Sequence, residues 1–244
     1  MTQPSEDQLE AGLRTLAIPH AAVVTAKLIE FGKLLLEENK RTNLTGAHSI
    51  DGLINEHFLD SLAPLQFVDL TQPVIDVGSG AGFPGIPAAI AFPKKKVVLL
   101  EPRAKRAEFL SLIAYKLGLE NLSVIKSSAR GPGASPLTGK AGTVLMRAVA
   151  QPAIAFGLGL PLLRAGGHLV LYEARAARAT SEDRRAAAAA GGGDLLIRRV
   201  LVPGFSAIRH VWLVRKMPGR GGKTTPSLGS GSFGLQRKAA KPRL

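Results

Sequence analysis

Over residues 8–38 the apolar positions recur every three or four residues, first as Leu9, Leu13 and Leu16, then as Val23, Val24, Leu28, Phe31, Leu34 and Leu35. That period predicts two amphipathic packing helices, with Pro19 in the first turn of the second, where a missing N–H costs nothing. Residues 39–46 are polar and read as a loop. Ser49 suits the N-cap of a further helix to about Leu62, on which Ile50, Leu53, Ile54, His57 and Phe58 share one face.

The pattern changes at Val74-Ile75-Asp76-Val77, a short apolar run of the kind covered on both faces in a parallel sheet. It leads into Gly78-Ser79-Gly80-Ala81-Gly82-Phe83-Pro84-Gly85 and a short helix over residues 85–92. A second strand, Val97 to Leu100, ends at Glu101. The helix after it, residues 102–117, turns Phe109, Leu112 and Ile113 inward and stops at Gly118. Strands follow at 122–126 and 143–146, then a helix at 151–164, a glycine-led strand at 166–172 and an alanine-rich helix at 186–190 ended by Gly191-Gly192-Gly193. A last strand pair spans 194–203 and 207–215. Strands alternating with helices predict an α/β, Rossmann-like fold: a seven-stranded, mostly parallel sheet with helices on both faces and an antiparallel final strand. The divisions are an N-terminal helical extension over 1–70, the sheet domain over 71–216, and a basic tail over 217–244 that reads as disordered in isolation, with or without a partner to order it.

The glycine turn is where chemistry enters. Gly80-Ala81-Gly82-Phe83-Pro84-Gly85 spells a dinucleotide fingerprint, which keeps a dinucleotide-dependent oxidoreductase as a competing reading. Against it stands Asp76, two residues before the first glycine, where a carboxylate would oppose a pyrophosphate on the turn's amides. S-adenosylmethionine carries a sulfonium and an ammonium and no phosphate, so an acid at the strand tip attracts its amino-acid end. Glu101, at the tip of the next strand, stands where a ribose-binding carboxylate is expected. Two strands ending in acids around a glycine turn resemble the cofactor site of class I methyltransferases. The competing structural reading makes Asp76 and Glu101 ordinary cap residues.

Composition narrows the setting. The 244 residues carry no cysteine, which excludes disulfides, a thiolate nucleophile and zinc–thiolate sites, and suits a reducing, cytoplasmic compartment. The N-terminus lacks the features of a signal peptide and no apolar run is long enough to span a bilayer, so no membrane partner is expected. Of the net +14, residues 1–72 contribute 5 basic and 10 acidic side chains, and residues 73–244 contribute 27 basic and 8 acidic. A basic sheet domain points to a polyanionic partner such as nucleic acid, although a generally basic, solvated surface would look the same.

Several blocks in order carry a specific resemblance: Asn43-Leu44-Thr45, His57-Phe58-Leu59-Asp60-Ser61-Leu62, the run from Asp76 to Pro87, Arg103-Ala104-Lys105-Arg106, Phe109-Leu110, Arg147-Ala148-Val149-Ala150 and Arg209-His210. Over roughly residues 30–215 the chain resembles the bacterial GidB/RsmG family, 16S rRNA guanine-N7 methyltransferases. The resemblance implies S-adenosyl-L-methionine as cofactor, 16S rRNA or the small ribosomal subunit as partner, a monomer, and no metal. It places Asp76, Gly78, Gly80, Gly82, Phe83, Glu101, Ala129, Arg130 and Arg147 in the cofactor site, and Arg147, His57, Asn43 and Arg209 at the nucleotide.

By position alone, His57 also fits a core histidine bonded to Asp60 or to backbone, and Arg147, at the carboxyl end of its strand, also fits a surface arginine paired with Asp69 or Glu101. The chain departs from the family pattern at Glu56 and Glu173, where basic residue and Lys-Gly are usual, and at Arg130, where an acid is common. Those departures keep open a methyltransferase with another nucleic-acid target and an RNA-binding protein with a remnant cofactor site.

Overall fold

The computed structural model describes residues 4–173, 178–204 and 208–218. Helix α1 (Pro4–Thr15) and helix α2 (Ala21–Thr42) bury Leu9, Leu13, Val24, Leu28, Phe31 and Leu35 along the stripe their spacing predicts, whereas Val23, expected on it, is 60% exposed. Two boundaries differ from expectation. Pro19 lies outside α2, ahead of His20, which precedes the helix in a left-handed conformation (φ 54°). The polar residues from 39 to 42 stay helical because the buried Asn39 side chain ties the following segment back to the helix. Its Oδ1 accepts from Leu44 N at 2.6 Å and Thr45 N at 2.9 Å, and its Nδ2 donates to Thr45 O at 2.9 Å. The chain leaves α2 through Asn43 at φ 49°.

The next helical stretch starts as expected, with Ser49 Oγ accepting from Gly52 N at 3.1 Å. It is not uniform: α3 (Ile50–Leu53) passes into a π-helical turn (Ile54–Phe58) and then α4 (Leu59–Leu62), followed by a 3-10 turn over Ala63–Phe67. Such wide turns cluster at functional sites because they displace carbonyls from the helical ladder.

The sheet comprises β1 (Val74–Val77), β2 (Val97–Leu100), β3 (Leu122–Ile125), β4 (Ala141–Arg147), β5 (Leu163–Glu173), β6 (Gly192–Leu201) and β7 (Ile208–Lys216), in the order β3-β2-β1-β4-β5-β7-β6. The pairings from β3 to β5 are parallel, and β7 inserts antiparallel between β5 and β6. This is the seven-stranded, mostly parallel sheet the alternation predicts. Of the remaining helices, α5 (Gly85–Ala91) and α6 (Ala104–Lys116) join α1 to α4 on one face, over a core that includes Val74, Leu99, Leu145 and Val170. Helices α7 (Pro152–Gly159) and α8 (Ser181–Ala189) cover the other, around Val77, Met146, Phe156 and Trp212.

Four expectations need correcting. Leu112 is 45% exposed, and Ala107 and Leu110 turn inward beside Phe109 and Ile113. The helix predicted to reach Arg164 ends at Gly159, since Pro161 lies within the 3-10 turn Leu160–Leu162 and cannot donate to a continuing α-ladder; Arg164 is already in β5. The alanine-rich helix begins earlier, at Ser181, because Thr180 and Asp183 form a capping box. Gly191 (φ 81°) ends that helix, while Gly192 and Gly193 belong to β6. The strand start expected at residue 207 and the tail beyond 218 lie outside the described residues. Among those described, no helix is long and apolar enough to cross a membrane.

Candidate functional site

The carboxyl ends of β1, β2 and β4 meet around the glycine turn. Gly78 N and Ser79 N both donate to Leu100 O, at 2.8 and 3.3 Å, so the turn hangs on the end of β2. Gly78 and Gly80 adopt φ 71° and 57°, values that L side chains reach only with strain. A Cβ at Gly78 would also lie 3.0 Å from Val149 Cγ2. The turn presents bare backbone at the switch point between β1 and β4, where open sheets bind ligands.

Asp76 and Glu101 fasten this turn. Asp76 is fully buried: its Oδ2 accepts from Gly85 N at 3.0 Å at the start of α5, and its Oδ1 has no hydrogen-bond partner. Burial, with the Glu101 charge, pushes its carboxyl up to about 7, against the pull of the Ser79 hydroxyl, which donates to Asp76 O at 3.1 Å, the Gly85 N–H and the Arg147 charge. Glu101 is also buried and bridges two backbone donors, with Gly80 N on Oε2 and Arg103 N on Oε1, both at 2.9 Å. The cap reading accounts for Gly85 N on Asp76 Oδ2 and for both backbone donors on Glu101, and leaves Asp76 Oδ1 unmatched. Arg106 overhangs the same turn, its Nη1 3.8 Å from where a Gly80 Cβ would be.

Across from the acids stands a cationic cluster. Arg147, at the end of β4, donates through Nη2 to Glu56 O in the π-helical turn at 2.8 Å and pairs with Asp60 Oδ2 at 3.0 Å. The same Nη2 lies 3.2 Å from His57 Nδ1. Asp60 Oδ1 receives Arg209 Nε from β7, again at 3.0 Å. The alternative expectation for Arg147, pairing with Asp69 or Glu101, is corrected: its carboxylate is Asp60. His57 does not bond Asp60 either. Its Nε2 meets Thr45 Oγ1 at 3.0 Å, and its ring stacks on Phe83 with centroids 4.6 Å apart and planes 19° from parallel. Desolvation, and then the Arg147 charge, hold His57 down at about 4, so it is neutral near pH 7. A guanidinium only donates, so Nδ1 carries the lone pair and Nε2 the proton.

The remaining predicted residues are placed as follows. Gly82 (φ 102°) packs so tightly on Ile86 that a Cβ would fall 2.4 Å from Ile86 Cδ1. The Phe83 ring is buried among His57, Phe31 and Phe58, which leaves its backbone to face the turn. Asn43 is exposed and shapes the loop that presents Thr45. Ala129 is half-buried after β3, whereas Arg130 is exposed and lies over α7, its Nη2 3.3 Å from where a Gly157 Cβ would be. Sequence reasoning missed Asp60, Thr45 and Asn39 as parts of the site. The signal for Asp60 was its place three residues after His57 on a helix, but its two partners lie 87 and 149 positions away.

Comparison with known proteins bears on this geometry. The GidB family, described as rRNA small subunit methyltransferase G, matches residues 24–201. A ribosomal RNA small subunit methyltransferase G of Syntrophomonas wolfei is 39% identical over 146 residues, covering 59% of this chain and 68% of the relative. The protein of the same name from Neisseria meningitidis serogroup C is 31% identical over 211 residues, 86% of this chain and 98% of the relative. Among solved structures, an S-adenosylmethionine-dependent O-methyltransferase of Thermotoga maritima is 15% identical with a TM-score of 0.46, covering 76% of this chain and 72% of that one.

Proposed function

The chain belongs to the GidB family, rRNA small subunit methyltransferase G, and from that premise we propose that it methylates N7 of a guanine in 16S rRNA, using S-adenosyl-L-methionine. The observation that carries this reading is the division of charge across the crevice. The acids Asp76 and Glu101 flank the glycine turn, and the arginines Arg147 and Arg209 meet at Asp60 on the other side. An acidic half suits a cationic cofactor, and a basic half suits a polynucleotide.

The residues of the turn fit such a cofactor. Asp76 Oδ1 is a buried acceptor without a donor, and Gly78 and Gly80 leave room for close approach. Asp76, Gly78, Gly80, Gly82, Glu101 and the backbone of Phe83 would hold it, with Ala129 closing the side next to β3. Bound there, S-adenosylmethionine supplies an electrophilic methyl group. Guanine N7 already presents an in-plane lone pair, so no proton has to leave before attack. The acceptor half accordingly needs no general base, and His57, neutral and bonded through both ring nitrogens, is not one. Its task, with Arg147, Arg209 and Asn43, is to hold the base and its backbone in line with the methyl group, which is catalysis by positioning.

The test is transfer of radiolabelled methyl from S-adenosylmethionine to small ribosomal subunits of a strain lacking the gene, with the product nucleoside identified by mass spectrometry. Label in 7-methylguanosine is the expected outcome. Label in another nucleoside would redirect the reading to another acceptor, and cofactor binding without transfer would leave a remnant site.

A further inference from the structure

Asp60 sits between two guanidinium groups that reach it from distant positions in the sequence. Arg147 comes from the carboxyl end of β4 and Arg209 from β7, each 3.0 Å from a different oxygen of the one carboxylate. Asp60 itself is buried on α4, its side chain only 9% exposed, while those of Arg147 and Arg209 are 20% and 35% exposed. One negative and two positive charges leave the triad at +1. Two guanidiniums this close would repel each other, and the carboxylate is what makes their approach favourable.

The donors are also divided. Arg147 spends Nη2 on Glu56 O, Asp60 and His57, while its Nη1 reaches Ser61 Oγ only at 3.5 Å. Arg209 uses Nε toward Asp60, so its two terminal nitrogens take no part in that pair. The triad thus keeps a surplus positive charge and guanidinium nitrogens that the carboxylate does not engage. A phosphodiester, with one charge shared by two oxygens, matches that surplus and that fork geometry.

We propose that Asp60 is a positioning residue that holds Arg147 and Arg209 as a fixed clamp for one phosphate of the acceptor RNA, next to the base being methylated. The inference rests on the reading of the acceptor as rRNA given above. It fixes the backbone of the acceptor rather than its base, so that in-line alignment is set by two arginines whose spacing Asp60 determines.

Charge counting and positioning make opposite predictions for Asp60→Asn. Removing a negative charge should tighten RNA binding if charge alone matters, whereas loss of the clamp should weaken it. We expect the full-length Asp60→Asn protein to bind a small-subunit rRNA transcript about tenfold more weakly, with a salt dependence reduced by about one phosphate contact. Its affinity for S-adenosylmethionine should stay at the wild-type value. Arg209→Ala, at the more exposed member, should lose a similar factor, and the double variant should lose little more than either alone, since both remove the same clamp. Asp60→Glu should recover part of the affinity.

Unchanged or tighter RNA binding by a folded Asp60→Asn protein, or additive losses in the double variant, would overturn the proposal. If Asp60→Asn does not fold, wild-type RNA affinity in Arg209→Ala overturns it equally. RNA binding is read without methyl transfer, so a wild-type protein that shows the clamp behaviour and transfers no methyl would refute the proposed function and leave the clamp standing.

Discussion

Arg147 Nη2 lies 3.2 Å from Nδ1 of His57, and that bond fixes what the imidazole is: an acceptor at Nδ1, a donor at Nε2, and neutral. The expected outcome in 15N NMR is an unprotonated Nδ1 and a protonated Nε2 throughout the neutral range, with titration only near pH 4. Because burial is the larger cause of the depression, Arg147→Met should raise that pKa only part of the way to 6.5. The folded state binds fewer protons here than the unfolded chain between about pH 4 and 6.5, so His57 contributes stability that is lost as pH falls through that window. A His57 that titrates near 6.5 in the wild type would sink this account.

Asp76 has the opposite sign. Its carboxyl is raised from 3.8 to about 7, so the folded state holds the proton more tightly, and the contribution to stability is full below 3.8 and gone above about 7. Asp76→Asn should remove that decline in denaturation curves measured across the window. The same group predicts proton-linked cofactor binding, since a cationic ligand favours the ionised carboxylate. Calorimetry in buffers of different ionisation enthalpy should register proton release on binding near neutral pH, and no such release from this group in Asp76→Asn.

Glu101 carries both the turn and the start of the next helix. Glu101→Ala leaves Gly80 N–H and Arg103 N–H without their acceptor, which should cost about 1–3 kcal/mol in stability and lower cofactor affinity. Glu101→Gln retains one carbonyl oxygen and should lose less of both. Thermal melting with and without S-adenosylmethionine separates the two effects, and an alanine variant with wild-type affinity would remove Glu101 from the cofactor site.

At Gly78 a side chain meets two obstacles, a φ of 71° and the Val149 methyl groups, 3.0 Å away at the nearest. Gly78→Ala should strain the turn by about 1–2 kcal/mol and weaken cofactor binding by roughly tenfold, with Asp in place of Ala abolishing it. Isothermal titration of the folded variants decides it; equal affinity in Gly78→Asp would mean that the ligand does not approach this backbone.

The acidic side of the crevice was legible in the sequence because it is local. Strand, turn and helix from Val74 to Ala91 are consecutive, the glycines announce their backbone geometry, Asp76 interrupts the apolar run of β1, and Glu101 directly follows that of β2. The arginine side was legible only as separate residues. Nothing in the spacing of Asp60, Arg147 and Arg209 says that one carboxylate holds both arginines, since that follows from the packing of α4 against strands far along the chain. The π-helical turn is equally silent, because the apolar positions Ile50, Leu53, Ile54 and Phe58 satisfy an ordinary helical period. Asn39 reads as a loop residue in sequence, and its role as a buried brace depends on where Leu44 and Thr45 return.

The insertion of β7 between β5 and β6 means that the two halves of the crevice are assembled from very different separations along the chain. Every group around the glycine turn from Asp76 to Arg106 lies within one stretch of chain, so that half needs only short loops to close. Arg209 stands on the strand that comes last in the sequence, and its partner Asp60 is made 149 residues earlier. On a ribosome synthesising this chain, the acidic half is complete in sequence well before the second arginine emerges. A nascent chain ending before β7 therefore contains the groups around the glycine turn and lacks the complete pair of cations on the other side.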